Sequence, residues 1–342
     1  MIKYYYYTVI TVSYINVTCR ALAFNNRLVS KVFGRIRISD NQNYVFCENT
    51  THPFDPESRS VRIRWQQKCY FPIAGFEVDA INSVQLSNHT GYKVFKGQIL
   101  NDKDLGIIIL DDLIDGLVQN NLDNYTHLLT GYMGSASFLK RVALLVTTLK
   151  CKNPNLIYVC DPVMGDNGKM YVPEALKEIY KKEIVPLADV LTPNQFELEL
   201  LTGEKITNMI ELQDAIKKLH QIGPKTVAVS STELNNKLTA VVSTEKDNVL
   251  LKVDIPKIPV TFTGSGDLFA ALFLAHLYLQ NNMKTTMEKT INSLYSVLLN
   301  TYEFSKVYAD TEAQRARKIE LQLIQNKKNI ENPEMHLLAE SL

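Results

Sequence analysis

The sequence predicts an α/β fold, a central mostly parallel sheet flanked by helices on both faces, and three observations carry that prediction. First, the apolar runs at 127–130, 156–160 and 188–191 are short, continuous and without alternation, as strands buried on both faces require. Second, segments with helical periodicity, such as 138–149 and 211–220, follow these runs, the pattern of βαβ units. Third, each run ends in a polar or glycine-bearing cluster: Gly131-Tyr132, Asp161-Pro162 and Thr192-Pro193-Asn194. In such sheets ligands bind beyond the carboxyl ends of the strands, where these clusters fall.

Along the chain, the first seventy residues read differently from the rest. They hold one glycine, Gly34, and keep no sustained period of 2 or 3.6, so one or two strands at most are expected there. Residues 1–70 are therefore set apart as a divergent or poorly ordered N-terminal segment, and 71–342 as the main domain. Pro193 suits a first helical residue after Thr192, and Gly203 suits the position just past that helix's end. Asn194 and Glu197 then fall in its first turn. Strands are expected at 226–231, 237–243 and 249–253, the last two as a small antiparallel flap. The apolar run 268–275 reads as a buried helix, and Ala313, Ala316, Ile319 and Leu323 predict a packing helix over 311–330.

With 342 residues, 46% hydrophobic and 21% charged, the chain can bury a sizeable core. The 37 basic and 36 acidic residues nearly cancel and form no basic block, which argues against nucleic acid or an anionic membrane as partner. No run of eighteen apolar residues predicts a membrane span. Five scattered cysteines without a C-x-x-C pair suit reduced thiols in the cytoplasm. The ligand expected is small.

The chemistry concentrates at Thr263-Gly264-Ser265-Gly266-Asp267. Glycines around a serine let backbone N–H groups converge on a phosphate, and a helix opening there adds the positive end of its dipole. Asp267 beside a bound anion is electrostatically unfavourable as another contact, so it reads as a general base. Phosphoryl transfer also needs a divalent cation. Asp161 and Asp166, with Glu197, offer oxygen ligands suited to Mg²⁺, partly through water. Neither G-x-x-x-x-G-K-[ST] nor G-x-G-x-x-G occurs, and the protein-kinase motifs are missing. What remains is a small-molecule kinase built around a G-S-G-D turn.

Phe262-Thr-Gly-Ser-Gly-Asp-Leu-Phe269 resembles the anion-hole and base motif of the ribokinase-like superfamily in the form found in pyridoxal kinases. The segments 75–91, 159–166 and 188–197 resemble the same family, so the likeness spans about 71–333. It implies a ribokinase-like fold and ATP-dependent phosphorylation of the 5′-hydroxymethyl group of pyridoxal, pyridoxine or pyridoxamine. It implies that Asp267 takes the hydroxyl proton while Gly264, Ser265 and Gly266 stabilise the transferring phosphoryl group. Asp166 and Glu197 would organise Mg²⁺, and Asp161 and Thr192 would lie near K⁺. Asn194, Ser230 and Ser231 match positions lining the nucleotide site. Thr90 matches a residue hydrogen-bonded to the pyridine ring, and Tyr132 and Thr263 match neighbours of the substrate. A homodimer is implied as well.

One departure stands out. The family's opening strand leads to a serine and a turn of the form S-x-x-x-x-G-x-x-G-N, whereas Val61–Tyr70 holds no glycine. Either the start is divergent, or the stretch before Phe71 comes from an incorrect gene model, the reading that the retained Phe71-Pro72 favours. A catalytically impaired binder of vitamin B6 or nucleotide, and a kinase for hydroxymethylpyrimidine or a sugar, stay open as alternatives.

Overall fold

A computed structural model describes residues 7–14, 76–86, 92–94, 96–99, 106–245, 249–280, 282–306, 318 and 320–342. Strand β1 (Tyr7–Tyr14) runs parallel to β2 (Phe76–Leu86) on one side and to β4 (His127–Thr130) on the other. The parallel order continues through β5 (Ile157–Cys160) and β8 (Val190–Leu191) to β9 (Thr226–Leu234). Beyond β9, antiparallel pairing adds β10 (Lys237–Thr244), β11 (Val249–Ile255) and β12 (Glu340–Ser341); β3 (Gly97–Ile99) lies antiparallel to β2 at the opposite edge. The resulting order is β12-β11-β10-β9-β8-β5-β4-β1-β2-β3, and β6 (Gly165–Asp166) and β7 (Lys169–Met170) form a separate antiparallel pair.

Helices cover both faces. Among the described residues they include α1 (Gly106–Gln119), α2 (Ala136–Lys152), α3 (Ala175–Ile179), α4 (Gln195–Thr202), α5 (Met209–Ile222), α6 (Ser265–Leu279), α7 (Met283–Ser305) and α8 (Lys327–Glu331). The strands explain the two layers, because successive side chains point to opposite faces. Leu128, Tyr158, Leu191 and Val227 join the core that holds Val142 of α2, Leu198 of α4 and Leu219 of α5. Their neighbours Leu129, Val159, Val190 and Ala228 join the core that holds Leu272 and Phe273 of α6 and Ile291 of α7. Every residue of α6 from Leu268 to His276 is buried, as a helix apolar all round must be. Phe269 and Phe273 stack there at 5.9 Å between ring centroids. Each large apolar side chain so buried stabilises the fold by about 1.5–3 kcal/mol.

All the described residues fall in one compact unit made of residues 1–16 and 65–342. Three features bear on the expectations above. Tyr7–Tyr14, assigned above to the segment preceding the main domain, forms a strand inside the sheet, between β2 and β4. The antiparallel pairing expected at 237–253 is present between β10 and β11, and β10 also pairs with β9, so the two strands extend the main sheet; a separate small antiparallel sheet is β6–β7. The helix expected over 311–330 is not continuous. Lys318 is helical, Glu320 forms a parallel bridge with Thr263, and Lys327–Glu331 is helical toward the end of the span; residues 311–317 and 319 of that span lie outside the described set.

Candidate active site

The carboxyl ends of β4, β5 and β8 are laced together by backbone hydrogen bonds that continue past the strands. Asp161 N–H donates to Thr130 O at 2.8 Å, Thr192 N–H to Cys160 O at 3.0 Å and Ser230 N–H to Pro193 O at 2.9 Å. This stagger delivers Asp161, Thr192, Asn194 and Ser230 to one end of the sheet. Beneath them, Thr130 Oγ1 and Tyr158 OH share a buried hydrogen bond of 2.8 Å.

Asp161 is 4% exposed, and its Oδ1 accepts from Thr192 Oγ1 at 3.3 Å while Oδ2 has no hydrogen-bond partner. Burial raises its pKa well above the carboxylate range, and the negative charges of Glu197 and Asp267 raise it further against the Thr192 hydrogen bond. Asp267, in the first turn of α6, therefore acts electrostatically on the same carboxylate as Glu197. Such a convergence is unstable without a cation or a shared proton.

Glu197 is differently occupied. Asn194 caps α4 by accepting from Glu197 N–H at 2.9 Å, and Glu197 Oε2 accepts from Asn194 N–H at 2.9 Å, completing a capping box. Glu197 Oε1 accepts from Met164 N–H at 2.9 Å and Gly165 N–H at 3.5 Å, and Asn194 Nδ2 donates to Gly165 O at 2.8 Å. The start of α4 is thereby locked to the β6 loop. Burial pushes the Glu197 pKa up to about 8, against the pull of those backbone N–H groups. Gly165 is required by packing, since a Cβ would run into the Lys169 carbonyl and come within 2.8 Å of the Phe196 ring. Asp166 accepts from its neighbour Asn167 at 2.8 Å from the backbone and 3.1 Å from the side chain, and burial raises its pKa.

At α6, Gly264 is the N-cap with φ +85°, a left-handed conformation that favours glycine, and no side chain caps the helix. A Cβ at Gly266 would meet nothing within 4 Å. The glycine at 266 is thus not demanded by the surrounding protein, and the open space beside an uncapped helix start suits an anion approaching the backbone.

Among the described residues no three His, Cys, Asp or Glu side chains converge as a ready-made metal cage. The physical reason is visible at Glu197, whose oxygens are taken by backbone N–H groups. A Mg²⁺ ion held by one or two carboxylates plus phosphates and water needs no such cage, and the orphaned Asp161 Oδ2 fits a cation.

Of the substrate-side candidates, Tyr132 is half-buried in the turn after β4, and Thr263 is half-buried and bridged to Glu320. Thr90 lies outside the described residues. Ser231 follows Ser230 on β9, both half-buried. Sequence reasoning missed Tyr92, whose hydroxyl donates to Glu320 Oε1 at 2.6 Å, the residue bridged to Thr263 just ahead of α6. It also missed Gly165, although a glycine directly before Asp166 was a signal. Cys160 is buried and Cys151 exposed, both as free thiols.

Residues 124–312 match the family model described as phosphomethylpyrimidine kinase. Pyridoxal kinase of Homo sapiens is 43% identical over 285 residues, covering 78% of this chain and 90% of the human protein. That of Arabidopsis thaliana is 44% identical over 280 residues, covering 79% and 87%. Among solved structures, the pyridoxal kinase of Leishmania donovani in complex with ADP and pyridoxamine superposes with a TM-score of 0.73 at 27% identity, covering 82% of this chain and 94% of that one. The pyridoxal kinase of Entamoeba histolytica shares the fold with a TM-score of 0.74 at 21% identity, covering 99% and 100%.

Proposed function

The chain belongs to the pyridoxal kinase family, and from that premise we propose that its strand-end cluster transfers the γ-phosphoryl group of ATP to the 5′-hydroxymethyl group of pyridoxal and the related vitamers. The observation that carries this reading is the electrostatic meeting of Asp267, at the uncapped start of α6, with Asp161 at the end of β5. Asp267 takes the proton of the attacking hydroxyl as the new P–O bond forms and the bond to ADP breaks. The backbone of Gly264, Ser265 and Gly266 receives the charge developing on the transferred group. Asn194, Ser230 and Ser231 line the nucleotide, while Tyr132, Thr263 and Thr90 contact the vitamin.

Asp161, Asp166 and Thr192 would hold the cations, Mg²⁺ and K⁺, which neutralise phosphate charge when bound. Glu197 contributes by fixing the loop at 164–166 and the first turn of α4. The same reading takes the protein as a cytoplasmic homodimer, with a small molecule rather than nucleic acid or a membrane as partner. No described helix is long and apolar enough to cross a membrane.

A coupled ADP-release assay with pyridoxal, ATP, Mg²⁺ and K⁺ tests the proposal, and pyridoxal-dependent turnover is expected. ATP binding without such turnover would favour a binding protein. Faster turnover of hydroxymethylpyrimidine, or of the phosphomethylpyrimidine named in the family model's description, would reassign the substrate.

A further inference from the structure

β2 carries an irregularity whose chemistry the mechanism above does not use. Its register with β1 pairs Ser13 with Asn82 and then Tyr14 with Val84, so Ser83 is skipped. On its other edge the pairing with β3 begins at Val84. Such bulges re-aim a side chain, and they gather near active sites. The Ser83 side chain is 1% exposed, and its hydroxyl donates to the Tyr132 carbonyl oxygen at 2.6 Å. That bond crosses from β2 to the turn between β4 and α2, although β1 separates β2 from β4 in the sheet.

We propose that Ser83 is a positioning residue for the acceptor substrate, its hydroxyl clamping the Gly131-Tyr132 turn so that the Tyr132 ring is held against the vitamin. The proposal rests on the pyridoxal kinase reading. Without the clamp, the carbonyl of residue 132 loses a buried donor, and the turn gains freedom that each binding event must remove. Asn194, Ser230 and Asp161 are anchored by other bonds, so the nucleotide half should not sense the change.

The test measures KM for pyridoxal, KM for ATP and kcat in Ser83→Ala and Ser83→Thr. Alanine should raise KM for pyridoxal about tenfold, the effect of one lost hydrogen bond, with KM for ATP and kcat altered by less than about twofold. Threonine, which keeps the hydroxyl, should restore KM. In a Tyr132→Ala background the Ser83→Ala penalty should largely vanish, because the ring it positions is gone. A merely structural serine would lower the melting temperature and leave KM for pyridoxal untouched, and that result overturns the proposal. If alanine prevents folding, Ser83→Cys, similar in size and a weaker donor, carries the same comparison. Absence of pyridoxal turnover in the unmodified protein would instead overturn the parent reading, and this one with it.

Discussion

Sequence spacing assigned Asp161, Asp166, Glu197 and Asp267 to one proposed phosphoryl-transfer site, and the surroundings of Asp161 and Glu197 differ. Asp161 keeps a buried oxygen without a partner, whereas Glu197 spends both of its oxygens on backbone N–H groups of residues 164, 165 and 194. That distinction was not legible beforehand, because N-x-x-E at a helix start reads equally as a capping box or a ligand pair. Two variants separate the roles. Asp267→Asn removes the proposed base without adding bulk, and kcat should fall by about 10²–10⁴ with KM for ATP nearly unchanged; full activity would strike Asp267 from the mechanism. Glu197→Gln sets an amide N–H₂ against backbone donors and should cost about 1–3 kcal/mol, seen as a lower melting temperature even in cation-free buffer. An unchanged melting temperature there would leave Glu197 a cation ligand alone.

At the scale of elements, legibility followed how locally each one is determined. Helix α4 was visible in Pro193, Asn194 and Gly203, and its C-cap at Gly203 does adopt φ +79°. The strands at 127–130, 157–160 and 190–191 were visible as apolar runs too short for helices. In the tail, tertiary pairing overrides periodicity at Glu320, which is held by the Thr263 bridge and the Tyr92 hydroxyl. The start of α6 yields a prediction that distinguishes conformation from binding. Gly264→Ala forces a side chain into a left-handed conformation and should destabilise the fold by about 1 kcal/mol. Gly266→Ala meets open space within a helix, so stability should hold or rise by up to about 1 kcal/mol, while kcat/KM for ATP drops at least tenfold. Melting curves and steady-state kinetics on the pair check this. A Gly266→Ala enzyme with normal kinetics would remove the phosphate from that cradle.

For the whole molecule, two histidines tie stability to pH. His127 on β4 is 2% exposed and packs edge-on to Phe76 and Tyr278, and its Nε2 has no hydrogen-bond partner. His276 near the end of α6 is 4% exposed. Burial lowers the pKa of each from 6.5 to about 4, with Lys289 adding to the effect at His276. The unfolded chain binds these protons between pH 6.5 and about 4 while the folded chain does not, so stability is fully present above pH 6.5 and is lost as the pH falls through that window. Each histidine should cost on the order of 3 kcal/mol by the acid end. Glu197 works the other way, because a raised carboxylate pKa favours the folded state at low pH and loses that advantage as pH rises from 4.5 to about 8. The raw melting curve therefore mixes both signs, and the informative quantity is the difference between the wild type and His127→Gln or His276→Gln. Each variant should lose less stability than the wild type between pH 6.5 and 4.5, and the double variant less again. Parallel curves for all four proteins would mean that the sheet and α6 admit a charged imidazole at no cost.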